Sequence, residues 1–147
     1  IAFYREYFSV KGIYENSLYD GIKPLLESLK SDGRRLYLAT SKPHEYAVEV
    51  LKNFGIYDYF TDIGAASFDG SHVDKVEILH SLIKRAGINR RDESVMIGDR
   101  LYDIIAAKSA GFYSIGVLYG YGEKEELTKA GADFLVQSVT ELLDLLL

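Results

Sequence analysis

Strand and helix signals alternate along the chain from about residue 20 to its end, and no other feature restricts the fold so strongly. Gly21–Asp32 carries Ile22, Leu25, Leu26 and Leu29 at helical spacing, and Gly33 then supplies a stop. Arg35–Thr40 follows as a short apolar strand. Pro43 suits the first turn of the next helix, whose Ala47, Val50, Leu51 and Phe54 form one stripe ahead of Gly55. Tyr59–Ala65 is a weaker strand. Asp74-Lys-Val-Glu77 has the form of a capping box before a helix with Val76, Leu79, Leu82 and Ile83 on one face, ended by Gly87. The alternation then continues through a strand at Ser94–Gly98, a helix at Leu101–Ala110 stopped by Gly111, and a strand at Ser114–Leu118. A short helix at Glu123–Lys129, a strand at Phe134–Gln137 and a helix at Thr140–Leu147 complete it. Strands separated by helices of this length predict an α/β fold with a doubly wound parallel sheet. The nearly continuous apolar strands agree, because such a sheet is buried on both faces.

A chain of 147 residues with 48% hydrophobic content is long enough for one domain with a proper core and too short for two comfortable ones. Its net charge of -5, without any cluster of Lys and Arg, excludes nucleic acid and an anionic membrane surface as the main partner. There is no cysteine, so neither a disulfide framework nor a thiolate metal site is available. No segment resembles a signal peptide, and the apolar runs fall far short of the roughly 20 residues of a spanning helix. The expected location is cytoplasmic. Residues 1 to 19 differ from the rest. Ile1–Val10 reads as a helix with Phe3, Tyr4, Tyr7 and Phe8 around much of its circumference, and Gly12–Asp20 reads as a loop. Two readings fit: a helix packed on the sheet edge, or the tail of a neighbouring domain and its linker.

The C-terminal ends of parallel strands share one edge, where ligands of such folds bind. Three groups map to that edge. Met96-Ile-Gly-Asp-Arg-Leu-Tyr-Asp103 places Asp99 and Asp103 where a strand gives way to a helix, a spacing that suits a magnesium site. The same pair also suits an N-cap and a first-turn acid. Thr40 and Ser41, before Lys42-Pro43, offer hydroxyls and amides to phosphate oxygens, or plain capping. Lys75 opens a helix where the macrodipole disfavours a cation by up to about 1 kcal/mol, a penalty that a nearby anion would remove. Asp74 or Glu77 can serve locally; alternatively Lys75 reaches across the edge to a phosphoryl group and its attacking carboxylate. His44, His72 and His80 lack ligand spacing, the twelve tyrosines speak for packing, and Glu123-Lys-Glu-Glu126 reads as a solvated first turn.

Taken in order, these motifs resemble the haloacid dehalogenase superfamily of hydrolases, in its phosphoglycolate phosphatase-like branch. Leu36-Tyr-Leu-Ala-Thr-Ser-Lys-Pro43 is similar to the second motif, with Thr40 in the phosphate-binding position. Lys75, in Gly70-Ser-His-Val-Asp-Lys75, is similar to the third-motif lysine. Gly98-Asp-Arg-Leu-Tyr-Asp103, running on through Ala106-Ala-Lys-Ser-Ala-Gly111, is similar to the acidic fourth motif. Leu118-Tyr-Gly-Tyr-Gly122 resembles the loop after the next strand, and its Gly120–Gly122 part is expected to line the entrance. The resemblance implies a Rossmann-like core and a Mg2+-dependent phosphatase acting on a small phosphorylated metabolite such as 2-phosphoglycolate through an aspartyl-phosphate. It implies catalytic and phosphate-binding roles for Thr40 and Lys75, phosphate contact by Ser41, and metal binding by Asp99 with Asp103 behind it.

One element of the pattern is missing. The family's nucleophile and general acid are the aspartates of Asp-x-Asp-x-Thr on an N-terminal strand, and no such sequence occurs here; Asp69-Gly70 lacks both the strand and the second aspartate. The chain starts at Ile1 and its only methionine is Met96, so upstream sequence is expected. On this layout residues 1 to 19 are the end of a helical cap with its linker and 20 to 147 the core, with the first strand missing. The expected consequences are an inactive isolated chain and open strand edges, met by an oligomer or by pairing with the missing N-terminal segment. Alternatives are a metal-independent haloacid dehalogenase, against which the acidic pair argues, and a receiver-like phosphate-responsive module without turnover.

Overall fold

The computed structural model describes residues 17 to 147, so the aromatic helix expected at Ile1–Val10 lies outside the described residues. The chain divides into two compact units, one up to Val73 and one from Asp74.

In the first unit, α1 (Ile22–Ser31) buries Leu25, Leu26 and Leu29, three of the four residues of its predicted stripe. β1 (Leu36–Pro43) pairs in parallel with β2 (Phe60–Ala66), and α2 (His44–Asn53) connects them. Leu26, Leu51, Ile56 and Ile63 form the apolar centre. Pro43 is not inside the helix as expected. It holds the N-cap position of α2 with φ -55° and ψ 145°, extended backbone that also closes the strand. The ladder is irregular between Ala39 and Pro43, so Thr40 and Ser41 lie on a distorted stretch inside the strand rather than at its end.

The second unit has the strand order β3 (Val95–Gly98), β4 (Tyr113–Val117), β5 (Phe134–Val136), all parallel. Between them run α4 (Leu101–Ala110) and α5 (Lys124–Ala130), preceded by α3 (Lys75–Ala86) and followed by α6 (Val139–Leu146). α4 packs against α3, β3 and β4. Its Ile104, Ala106, Ala107 and Ala110 are fully buried, and the small alanines permit that close approach. Gly98 pairs with Gly116, which brings the loops after β3 and β4 to the same end of the sheet.

The α/β class with parallel strands is therefore as expected. Among the described residues, β1 and β2 pair only with each other, and β3 and β5 each pair only with β4. No helix among the described residues is long and apolar enough to cross a membrane.

Candidate active site

The geometry that matters lies in the second unit. α3 starts at Lys75, and Asp74 caps it by accepting from Val76 N and Glu77 N. That uses Asp74 on the backbone. The Lys75 ammonium instead lies 3.1 Å from Asp103 Oδ1, with side-chain exposures of 16% and 10%. This contact with the fourth-motif acid is neither of the two arrangements expected for Lys75. A lysine at a helix N-terminus finds its compensating anion one helix away.

Asp103 sits in the first turn of α4 and is 7% exposed. Its second oxygen, Oδ2, accepts from Arg100 N at 3.2 Å. Asp103 thus has the first-turn role weighed from sequence, and pairs with Lys75 as well. Asp99 does not have the capping role. The N-cap of α4 is Arg100, one residue later, so Asp99 and Asp103 do not share a helix face. Asp99 Oδ2 instead accepts from Tyr121 N at 2.7 Å. Its other oxygen has no hydrogen-bond donor among the described residues.

The loop after β4 is built around that carboxylate. A Cβ on Gly120 would overlap the Asp99 side chain, and one on Gly122 would overlap the Asp99 carbonyl oxygen. Glycine is needed there for close approach, and the Tyr121 side chain, 88% exposed, takes no part. Gly98 is constrained in the same way, since its Cβ would run into Asp103.

Glu126 departs from the solvated reading. Its Oε1 accepts from Arg100 Nε at 2.8 Å and from Leu101 N at 3.0 Å. The Arg100 hydrogen bond first, and the Leu101 amide second, hold its carboxyl below the usual glutamate range. The same contact pushes the Arg100 guanidinium up.

Thr40 and Ser41 belong to the first unit. Thr40 Oγ1 accepts from Lys42 N at 3.1 Å, which leaves its own proton for an acceptor. Ser41 is exposed and donates to Val73 O at 3.3 Å. Lys42 is half-buried, and burial lowers its ammonium from the ordinary lysine value. His44 and His72 are exposed and His80 meets Ser109 Oγ at 3.1 Å, in keeping with their plain structural reading.

Among the described residues no three His, Cys, Asp or Glu side chains cluster as a metal cage. Two carboxylates, one with a spare oxygen and one neutralised by lysine, do fit Mg2+, which keeps several waters and takes one or two protein carboxylates beside substrate phosphate.

A family model described as haloacid dehalogenase-like hydrolase matches residues 1–111. The chain is 41% identical over 124 residues to a 5'-nucleotidase of Pseudomonas aeruginosa, covering 84% of this chain and 56% of that protein. It is 38% identical to the tyrosine-protein kinase PtkA of Mycobacterium tuberculosis (95% and 48% covered). It is 35% identical to a phosphoglycolate phosphatase of Vibrio vulnificus (97% and 62% covered). The crystal structure of a predicted phosphatase from Clostridium acetobutylicum superposes with TM-score 0.94 at 43% identity, over 97% of this chain and 66% of that one. The chain spans about half to two thirds of the length of these relatives. It belongs to the haloacid dehalogenase-like hydrolases, in their phosphoglycolate phosphatase-like branch.

Proposed function

We propose that this chain carries the lysine and metal-binding half of a phosphatase that hydrolyses a small phosphorylated metabolite, 2-phosphoglycolate being one candidate. The observation that supports this best is the nearly buried Lys75–Asp103 pair at the β3 end, next to an Asp99 carboxylate with one oxygen uncommitted.

Asp99 is the residue to hold Mg2+, and Asp103 the residue to hold its waters. Bound there, the ion would stabilise negative charge on the phosphoryl oxygens. Lys75 holds a second positive charge where water is largely excluded, so an approaching phosphoryl group meets a cation already oriented by Asp103. Tyr121 N fixes the direction of the Asp99 carboxylate. Thr40 and Ser41 are assigned to phosphate contact on motif order, and Thr40 has a hydroxyl proton to donate. The half-buried Lys42 pays a desolvation cost that a bound phosphate would offset. In this reading the nucleophilic aspartate, and with it the aspartyl-phosphate, belong to sequence outside these 147 residues.

A full-length protein containing this chain should release phosphate from at least one of 2-phosphoglycolate, a nucleoside 5'-monophosphate and p-nitrophenyl phosphate when Mg2+ is supplied. No turnover of any of them contradicts the proposal. The kinase name of the mycobacterial relative supports a second reading, transfer of a phosphoryl group to a protein tyrosine. Labelling of a tyrosine-containing protein from ATP, without ester hydrolysis, would favour it.

A further inference from the structure

We propose that Glu126 is a positioning residue for the Asp99 carboxylate, and through it for divalent-cation affinity. This rests on the metal-binding reading of Asp99 given above.

The N-cap of α4 is Arg100, whose side chain has no acceptor to offer the first-turn amides. Leu101 N is one of those amides, and Glu126 Oε1 satisfies it from α5 at 3.0 Å. The same oxygen takes Arg100 Nε at 2.8 Å. Both residues following Asp99 are thereby tied to α5. Asp99 itself is tied to Tyr121 N, only a few residues before Glu126. Arg100 N completes the circuit by donating to Asp103 Oδ2. The segment from Tyr121 to Glu126 thus grips Asp99-Arg100-Leu101 along its length.

Glu126 is carried on a fixed support. The next residue, Leu127, is fully buried, and a Cβ on Gly116 would crowd its side chain, so α5 lies close against β4. Glu126 itself is only partly buried, so truncating it removes hydrogen bonds without opening a cavity. Its loss should therefore loosen the backbone behind the Asp99 carboxylate more than it unfolds the unit. A ligand whose backbone wanders must be ordered at the moment of binding, and that cost appears as weaker affinity.

The test is Mn2+ binding, followed by electron paramagnetic resonance, to the full-length parent and its Glu126→Ala, Glu126→Gln and Asp99→Asn variants, with thermal melts alongside. Glu126→Ala should weaken Mn2+ binding by about tenfold. Glu126→Gln keeps a carbonyl acceptor for Leu101 N and should recover much of that loss. The Mg2+ concentration for half-maximal rate should rise in parallel, with the KM for the phosphate ester unchanged. Parent-like Mn2+ affinity in Glu126→Ala overturns the proposal. If Asp99→Asn loses Mn2+ in the same experiment, the metal reading survives that failure; if it does not, both fall. Weakening that glutamine fails to relieve, and that follows loss of thermal stability, assigns Glu126 to the fold alone and also overturns the proposal.

Discussion

The Lys75 ammonium and the Asp103 carboxylate lie 3.1 Å apart, each on the first turn of its helix and each largely withdrawn from water. Removing one partner leaves the other's charge poorly compensated. Lys75→Met should therefore destabilise the protein by about 3 kcal/mol, a typical cost of leaving a buried charge uncompensated. Replacing both, as Lys75→Met with Asp103→Leu, should recover part of that stability while leaving no phosphatase activity. Urea unfolding of the two single variants and the double variant measures the coupling; additive losses would show that the pair contributes nothing jointly.

The two loop glycines should fail in different ways. At Gly122 an added Cβ meets the Asp99 carbonyl oxygen, which cannot move without its strand, so Gly122→Ala should destabilise by about 1–3 kcal/mol. At Gly120 the obstacle begins at the Asp99 Cβ, which no side-chain rotation moves, and extends to its carboxylate. Gly120→Ala should therefore lose stability as well and, by displacing that carboxylate, also bind divalent cations less well. Thermal melts together with Mn2+ titrations separate the two outcomes.

Acid should weaken the α4–α5 contact through Glu126. Its carboxyl titrates lower in the folded protein than in the unfolded chain, because Arg100 and Leu101 N favour the charged form. The resulting stabilisation is present above the unfolded glutamate value, about 4.3, and is lost as pH falls through the lower folded value. Glu126→Gln should flatten the stability profile in that acidic window and leave the neutral-to-alkaline part unchanged in shape. Denaturant midpoints measured from pH 3 to pH 7 would show it; parallel profiles for parent and variant would contradict it.

Elements bounded by their own chemistry were legible from sequence alone. The helix from Leu101 to Ala110, stopped by Gly111, is formed as expected, and α3 runs from its Asp74 cap to Gly87. Pro43 stands one residue ahead of its expected helical position because a fixed φ suits both a first helical turn and the extended residue before it. Asp99 and Asp103 stand out in the sequence, but their hydrogen-bond and ion-pair partners do not. Lys75 meets Asp103, and Asp99 meets Tyr121 N, only because parallel strands and packed helices bring distant loops to one end of the unit. Glu126 looks like a solvated acid in the sequence because its donors, Arg100 and Leu101, are separated from it by α4, β4 and the loop after them. Periodicity reports which face of a helix is buried, not which acid reaches a neighbouring turn.

Asp99, as the proposed cation-holding carboxylate of a phosphatase site, carries the functional reading. Its most direct test is the turnover of a phosphate monoester against free Mg2+ for the full-length parent and its Asp99→Asn variant. The parent should show saturable Mg2+ dependence abolished by EDTA, and Asp99→Asn should lose at least about a hundredfold in kcat at saturating Mg2+. Turnover by Asp99→Asn equal to the parent at the same Mg2+ concentration would contradict the account.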